Sequence, residues 1–354
     1  MHPTFKVLKF NRWLHLQHIL KNIGFWVNQE DTSTYYMDSG LGQAMFWIHV
    51  DDGALAASSA ELMDFISSRL DKALRIKWDE RVNNLVGVSI TPFADGFKFH
   101  QPDLILKLLS IDTSNITARS PLPAKCALES QKTGVLDKEY LRRIGILLYI
   151  AQGSRPDISY AVNYLARFSI GPTVEHWDAL RHLIGYLRFT HDKGIFISKS
   201  TASLMRCYVD ANWGGEASRS THGYILFHGT NPIAWQSKRQ ATVAASTAQA
   251  EYLALSFTAK ESLWISHLFA PILKIPTPTL LSDNKTAIGI ANDTVSRKQT
   301  RHLIREFNVI NEYVVRGKIM LEWISTKDQL ADIMTKSLGF ITLKHIADSI
   351  ISSC

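Results

Sequence analysis

The sequence predicts an α/β (α+β) protein of more than one domain, and three observations point there. From about residue 204, strand-like alternation and helix-like periodicity follow one another in the order βββ-α-β-α-α-β-α. Residues 137–190 read as a helical block with breaks at "GSRPD" and "SIGPT". Earlier, the apolar runs 45–50 and 54–57 flank an acidic pair in "MFWIHVDDGALAASS" and read as two strands joined by a turn. A chain of 354 residues, 46% of them hydrophobic, can bury two or three cores, and 20% charged residues exclude wholesale disorder.

In chain order, residues 13–27 place Trp13, Leu14, Ile19, Leu20 and Ile23 at helical spacing, ending at Gly24. Ser59 can cap a helix with Leu62, Phe65, Ile66 and Leu70 on one face. "NLVGVSITPFADGFKFHQ" suggests two strands around Ala94-Asp95-Gly96, and "QPDLILKLLSI" a short helix. Residues 111–135, rich in Ser, Thr, Pro and Lys, read as a linker. Asp157 can cap "ISYAVNYLARF" and Thr173 can cap "VEHWDALRHLIGYLRF", although His176 stands where a capping box wants an acid.

"LMRCYVDA" then alternates, and "GYILFH" and "NPIAWQ" are two further strands. A long helix starts at Ser246, with Gln249 as its capping-box partner, and stops before Pro271. "PTLLSDN" is a strand, "KTAIGIAN" a helix, 302–315 a helix and "IMLEWI" the fifth strand. "TKDQLADIMTKSL" closes the domain as a helix capped by Thr326 with Gln329.

The net charge of +7 leans towards a polyanionic partner. Cys126, Cys207 and Cys354 have neither metal nor disulfide spacing, which suits an intracellular compartment, cytoplasm or nucleus. No run is long and apolar enough to span a bilayer, and the N-terminus lacks a signal-type apolar core, so no membrane partner is expected.

Four acids stand at consequential places: Asp210 at the end of the first strand of the last domain, Glu251 in the second turn of the long helix, Asp283 at the end of the fourth strand, and Asp332 near the last helix. Carboxylates at strand ends and on adjoining helices can converge on one sheet edge and hold hard divalent cations. Two such ions can activate water and stabilise a leaving oxygen in phosphodiester hydrolysis. Each acid also has a plain structural reading. Asp210 and Asp283 can simply start turns, Glu251 can favour a helix dipole, and Asp332 can lie on a solvated face.

"CYVDANWGGEASRSTHGYILFHGTNPIAWQSKRQATVAASTAQAEYLAL", "LLSDNKTAIGIAN", "TRHL" and "QLADIMTKSL" together resemble the RNase H domain of copia-type retrotransposon polyproteins. "RIGILLYIAQGSRPDISYAVNYLARF" and "HWDALRHLIGYLRFTHDKGI" resemble the connecting region of the same family, and "FWIHVDDGALAASS" its reverse-transcriptase hairpin. The resemblance runs from about Arg12 to Phe340. It implies an RNase H-like mixed five-stranded sheet with flanking helices, preceded by a truncated palm/thumb and a helical connection. The domains expected are 1–110 (polymerase remnant), 111–200 (linker and connection), 201–340 (RNase H-like) and 341–354 (tail).

The resemblance further implies two Mg²⁺ or Mn²⁺ ions held by Asp210, Glu251, Asp283 and Asp332, and hydrolysis of the RNA strand of an RNA–DNA hybrid. No small-molecule organic cofactor is expected; other retroelement proteins are candidate partners. The loop "ISTKD" lacks the His that cellular RNases H often carry, which predicts slow turnover, and Ile304 stands where the family has an acid after His302. Asp51 and Asp52 match the polymerase pair, but the family's third aspartate lies upstream of this chain, so DNA synthesis is not expected. His49 replaces the family's Tyr.

Lys238, Arg239 and Gln240 in "QSKRQAT" are candidate phosphate contacts, against the alternative of a solvated loop. Asn284 can touch the sugar-phosphate backbone or cap the helix that follows it. The rival to a hybrid ribonuclease is a catalytically silent remnant that at most binds nucleic acid.

Overall fold

The computed structural model describes residues 4–9, 13–50, 52–74, 76–79, 83–129, 134–199, 202–214, 218–292 and 304–352. The chain divides into two compact units, residues 1–91 with 264–275, and residues 92–263 with 276–354.

The first unit contains β1 (Thr4–Lys9), α1 (Trp13–Ile23), β2 (Trp26–Val27), β3 (Thr34–Ser39), β4 (Gly42–His49), β5 (Asp52–Ala57), α2 (Ala60–Ala73), β6 (Lys77–Asp79), β7 (Asn84–Leu85) and β8 (Val88–Pro92). Six of these strands pair antiparallel in the order β2-β3-β4-β5-β1-β6. Helix α1 ends as expected at Gly24, whose φ of 114° is open to glycine, and the Phe25 amide closes back on Leu20 O at 2.9 Å. Ser59 caps α2 by accepting from the Leu62 amide at 3.1 Å. Leu62, Ile66 and Leu70 then join Leu16, Leu20, Phe46 and Leu55 in a dry core. Phe65 packs at its margin.

The second unit opens with β9 (Gly96–His100), α3 (Pro102–Ile111), α4 (Lys138–Gly153), α5 (Ser159–Leu165), α6 (Val174–Phe189) and β10 (Ile195–Ser198). It continues with β11 (Met205–Asn212), β12 (Thr221–His228), β13 (Asn231–Arg239), α7 (Thr247–Phe269, of which residues 264–269 belong to the first unit), β14 (Thr279–Ser282), α8 (Lys285–Ala291), α9 (Ile304–Val315), β15 (Met320–Trp323) and α10 (Phe340–Asp348). Its five-stranded sheet has the order β13-β12-β11-β14-β15. The first three strands are antiparallel and the last two run parallel to β11, which gives the RNase H-like mixed sheet. Ile225 and Phe227 of β12 share one core with Leu147, Leu165 and Leu183 of the helical block and Leu343 and Ile346 of α10.

Four local expectations are corrected. Asp157 caps nothing: Arg155 Nε and Nη2 donate to its two oxygens at 2.9 and 2.7 Å, the Tyr186 hydroxyl donates at 2.8 Å, and the pair is fully buried. A carboxylate committed to a bidentate pair in a dry interior has no lone pair aimed at the following helix. His176 does complete a capping box on α6, its Nδ1 accepting from the Thr173 amide at 2.8 Å. Burial lowers the His176 pKa, and the neutral ring supplies the acceptor that an acid otherwise gives. The segment expected as the closing helix is two 3-10 turns, Thr326–Asp328 and Leu330–Met334. Gln329 bridges two groups that a regular helix would separate, its amide donating to Val209 O at 2.9 Å and accepting from Ala331 N at 3.1 Å. The stretch expected as a tail after 340 forms α10, which buries Leu343, Ile346 and Ala347.

Candidate metal centre

Asp210 lies on β11, the central strand, and is buried. The parallel register Tyr208↔Leu281 brings Asp283, the residue after β14, level with it. Glu251 reaches the same place from the second turn of α7 and is buried. One ligand oxygen from each of the three lies within 4.8 Å of the others, the single such group of His, Cys, Asp or Glu among the described residues. Alternation in the sequence predicted the strands, but only the parallel β11–β14 pairing brings together acids more than seventy positions apart.

Each carboxylate is held. The Thr335 hydroxyl donates to Asp210 Oδ2. Thr326 donates to Asp283 Oδ2 at 2.8 Å, and the Trp323 indole fixes the Asp283 backbone carbonyl at 3.0 Å. The Ala211 amide offers Glu251 a hydrogen bond. Glu251 Oε2 is buried without a hydrogen-bond partner among the described residues.

Asp332 stands beside this group, outside the close trio, and is linked to it by Lys336. The Lys336 ammonium lies 2.8 Å from Asp332 Oδ1 and 3.3 Å from Asp210 Oδ2. Sequence reasoning missed Lys336 and Thr335, and it read Thr326 as a helix cap, a place that Ser325 takes while Thr326 turns to Asp283. The four-residue spacing of Asp332 and Lys336 in "ADIMTK" was the available signal, because one helical turn, Lys336 N to Asp332 O at 3.0 Å, suffices to bring them together.

The electrostatics follow from crowding like charges in a dry place. Burial, then Asp210 and Asp283, push Glu251 up to about 9. Burial, then Asp210, push Asp332 up to about 6. Asp210 is raised by burial, against the pull of Lys336 and Thr335. Lys336 is raised, the attraction of Asp210 and Asp332 outweighing its own burial.

The other candidates divide. Lys238 and Arg239 end β13 exposed, Lys238 lying 5.8 Å over the Phe257 ring. Gln240, expected as an exposed loop contact, is instead buried, its side-chain amide donating to Ala250 O at 2.8 Å, so it ties β13 to α7. Asn284 takes the capping role, accepting from the Ala287 amide at 3.0 Å. In the first unit, His49 and Asp52 face each other across the β4–β5 turn, and Asp52 is half-buried. Asp51 and His302 lie outside the described residues. No described helix is long and apolar enough to cross a membrane.

No family model matches the chain. Individual proteins do. The chain is 32% identical over 348 residues to the retrovirus-related Pol polyprotein from transposon RE1 of Arabidopsis thaliana, covering 96% of this chain and 24% of that one. It therefore spans about a quarter of the length of the polyprotein it matches. It is also 32% identical over 226 residues to an uncharacterized mitochondrial protein of Arabidopsis thaliana, 93% of which it covers. Among solved structures, a foamy viral protease-reverse transcriptase in complex with RNA/DNA hybrid aligns over 91% of this chain and 44% of its own, with a TM-score of 0.51 and 13% identity, a likeness of fold alone. Similarity of sequence along 96% of the chain places this protein in the family of copia-type retrotransposon Pol polyproteins.

Proposed function

We propose that residues 201–340 form a ribonuclease H that hydrolyses the RNA strand of RNA–DNA hybrids, with Asp210, Glu251 and Asp283 as its metal ligands and Asp332 at the flank. The observation that carries this reading is the convergence of three carboxylates from three separate elements within 4.8 Å. Two of the three, Asp210 and Glu251, are buried at a cost, and the unpartnered Glu251 Oε2 lacks the hydrogen bond that a purely structural carboxylate would have. Oxygen donors of this density fit a hard divalent cation. Mg²⁺ or Mn²⁺ ions bound there would activate water and stabilise the leaving oxygen of a phosphodiester.

The protein's own groups supply the rest. Thr335 and Thr326 orient Asp210 and Asp283, so the ligand oxygens are set before substrate arrives. Lys238 and Arg239, exposed at the end of β13, offer charge to backbone phosphates. Selection of the RNA strand rests on its 2′-hydroxyls and on duplex shape. The foamy viral protein with the similar fold was solved with an RNA/DNA hybrid, which supports a hybrid as substrate.

We assign residues 1–110 to a polymerase palm/thumb and 111–200 to the connection. His49, stacked on Trp47 with ring centroids 5.7 Å apart, stands beside the acids where the resembling polymerases carry Tyr, and we assign this hairpin no DNA synthesis. The test offers a labelled RNA–DNA hybrid with Mg²⁺ or Mn²⁺ to the purified chain and to Asp283→Asn. Cleavage by the parent alone is the expected result. Absence of cleavage with salt-sensitive binding retained means a silent remnant. Primer extension by the parent overturns the assignment of the hairpin.

A further inference from the structure

Asp210 is shared between two cation positions. On one side its carboxylate meets Glu251 and Asp283. On the other it meets Asp332, and there the Lys336 ammonium lies between them, 3.3 Å from Asp210 Oδ2 and 2.8 Å from Asp332 Oδ1. The two positions differ in kind. The first offers three carboxylates and an unpartnered buried oxygen, Glu251 Oε2. The second already holds a positive charge from the protein itself, the Lys336 ammonium.

Lys336 has a way out. Its side chain is 34% exposed, whereas those of Asp210 and Asp332 are 2% and 13% exposed. A lysine head on a four-carbon stem can swing to water without moving the backbone. Charge balance favours that movement only when a second ion is present. Four carboxylates, one divalent ion and the ammonium leave one negative charge. Two divalent ions with the ammonium still inside leave one positive charge in a site of low polarity, where like charges repel strongly. A divalent ion also needs the carboxylate oxygens at about 2.1 Å, closer than an interposed ammonium allows.

We propose that Lys336 is a built-in competitor for the second divalent ion: its ammonium occupies the Asp210–Asp332 position, and an ion binds there only by displacing it. The trio of Asp210, Glu251 and Asp283 then loads tightly and the Asp210–Asp332 position weakly, so the metal requirement of the site is set by a residue that is not a ligand. This rests on the metal reading of the centre given above.

The test is a Mn²⁺ titration of the full chain, followed by calorimetry and by the electron paramagnetic resonance signal of free Mn²⁺. The parent is compared with Lys336→Met, Lys336→Arg and Asp283→Asn. The expected result is one tight and one weak ion in the parent. In Lys336→Met the weak ion tightens by about tenfold or more, and Lys336→Arg leaves it weak. In the unmutated chain, reactivity of Lys336 towards an amine-acylating reagent, read by mass spectrometry, rises over the range in which the second ion binds; this arm needs no variant to fold. A Lys336→Met protein whose second-ion affinity equals or falls below that of the parent overturns the proposal, as does Lys336 reactivity that is flat or falling across the titration. The metal reading fails in a different way: the parent and Lys336→Met bind no Mn²⁺, or Asp283→Asn binds it as the parent does.

Discussion

Glu251→Gln sets the stability of the centre against its function. The Glu251 carboxyl is held at about 9 by burial and by Asp210 and Asp283, against an ordinary value of 4.5. A carboxyl whose pKa rises on folding binds its proton more tightly in the folded chain than in the unfolded one. Its contribution to stability is therefore complete below about pH 4.5, falls as pH rises, and is exhausted near pH 9. At pH 7 the loss is about 3 kcal/mol, because the unfolded chain already ionises there and the folded one does not. Gln keeps the shape of the side chain and removes the titration. In chelator at pH 7 the Gln variant should unfold about 6–12 °C higher than the parent, the shift such an energy gives in a unit of this size. The two should converge at pH 4. Added Mn²⁺ should raise the parent and leave the variant nearly unmoved, and hybrid cleavage by the variant should fall to background. The assay is thermal unfolding at pH 4, 7 and 8.5 with and without Mn²⁺, beside the cleavage assay. A Gln variant less stable than the parent in chelator at pH 7, or parallel pH slopes, would refute the reasoning by showing that the buried oxygen is already satisfied.

Three further substitutions probe local structure, two in the second unit and one in the first. Asp157→Asn leaves the Arg155 guanidinium charged in a dry interior and should cost about 3–5 kcal/mol in urea unfolding; a cost under 1 kcal/mol would mean that the pair is hydrated. Gly223→Ala places a Cβ onto Met334 Cβ and within 3.1 Å of Gln236 O and Met334 O, so it should cost about 1–3 kcal/mol and reduce hybrid cleavage by displacing the turn that carries Asp332 and Lys336. Wild-type stability and cleavage in that variant would show that the turn moves freely. Val50→Asn should stabilise by about 1 kcal/mol in the same urea assay. Val50 sits at φ 51°, where a β-branched residue is strained, and it is 71% exposed, so no packing is lost.

What could be read from the sequence was whatever depends on near neighbours. Alternation in "LMRCYVDA" placed Asp210 on a strand, and Ser59, Thr173 and Asn284 are caps because a short polar side chain can reach an amide three residues on. The misreadings share one cause. Asp157, Gln240 and Gln329 have local sequence roles as good as any cap or surface contact, but Gln240 and Gln329 spend their side-chain donors on partners that the fold supplies from elsewhere, and Asp157, besides its pair with Arg155, takes a third bond from such a partner. Asp157 meets Tyr186, Gln240 meets Ala250, and Gln329 meets Val209, 120 positions away. Spacing says nothing about such pairs, and a buried amide that bonds a distant strand can unwind a helix that its own neighbours favour.

The metal centre sits at the boundary of those two regimes. Each acid is legible alone, while their meeting depends on the parallel pairing of β11 with β14 and on the packing of α7 against the sheet. That meeting also sets their chemistry. Separated, the four carboxylates would be ordinary surface acids, ionised and stable at pH 7. Brought together in a dry site, they hold Glu251 protonated up to about 9 and Asp332 up to about 6, with one ammonium among them. Divalent ions bind deprotonated carboxylates, so loading the site must release protons and, at the Asp210–Asp332 position, the lysine as well. Raising the pH from 6 to 8.5 should therefore tighten Mn²⁺ binding at the trio and reduce the protons released per ion, measured by calorimetry in buffers of different ionisation enthalpy. Proton release that does not change with pH would mean that the carboxylates are already ionised when the ion arrives, and that burial does not govern this site.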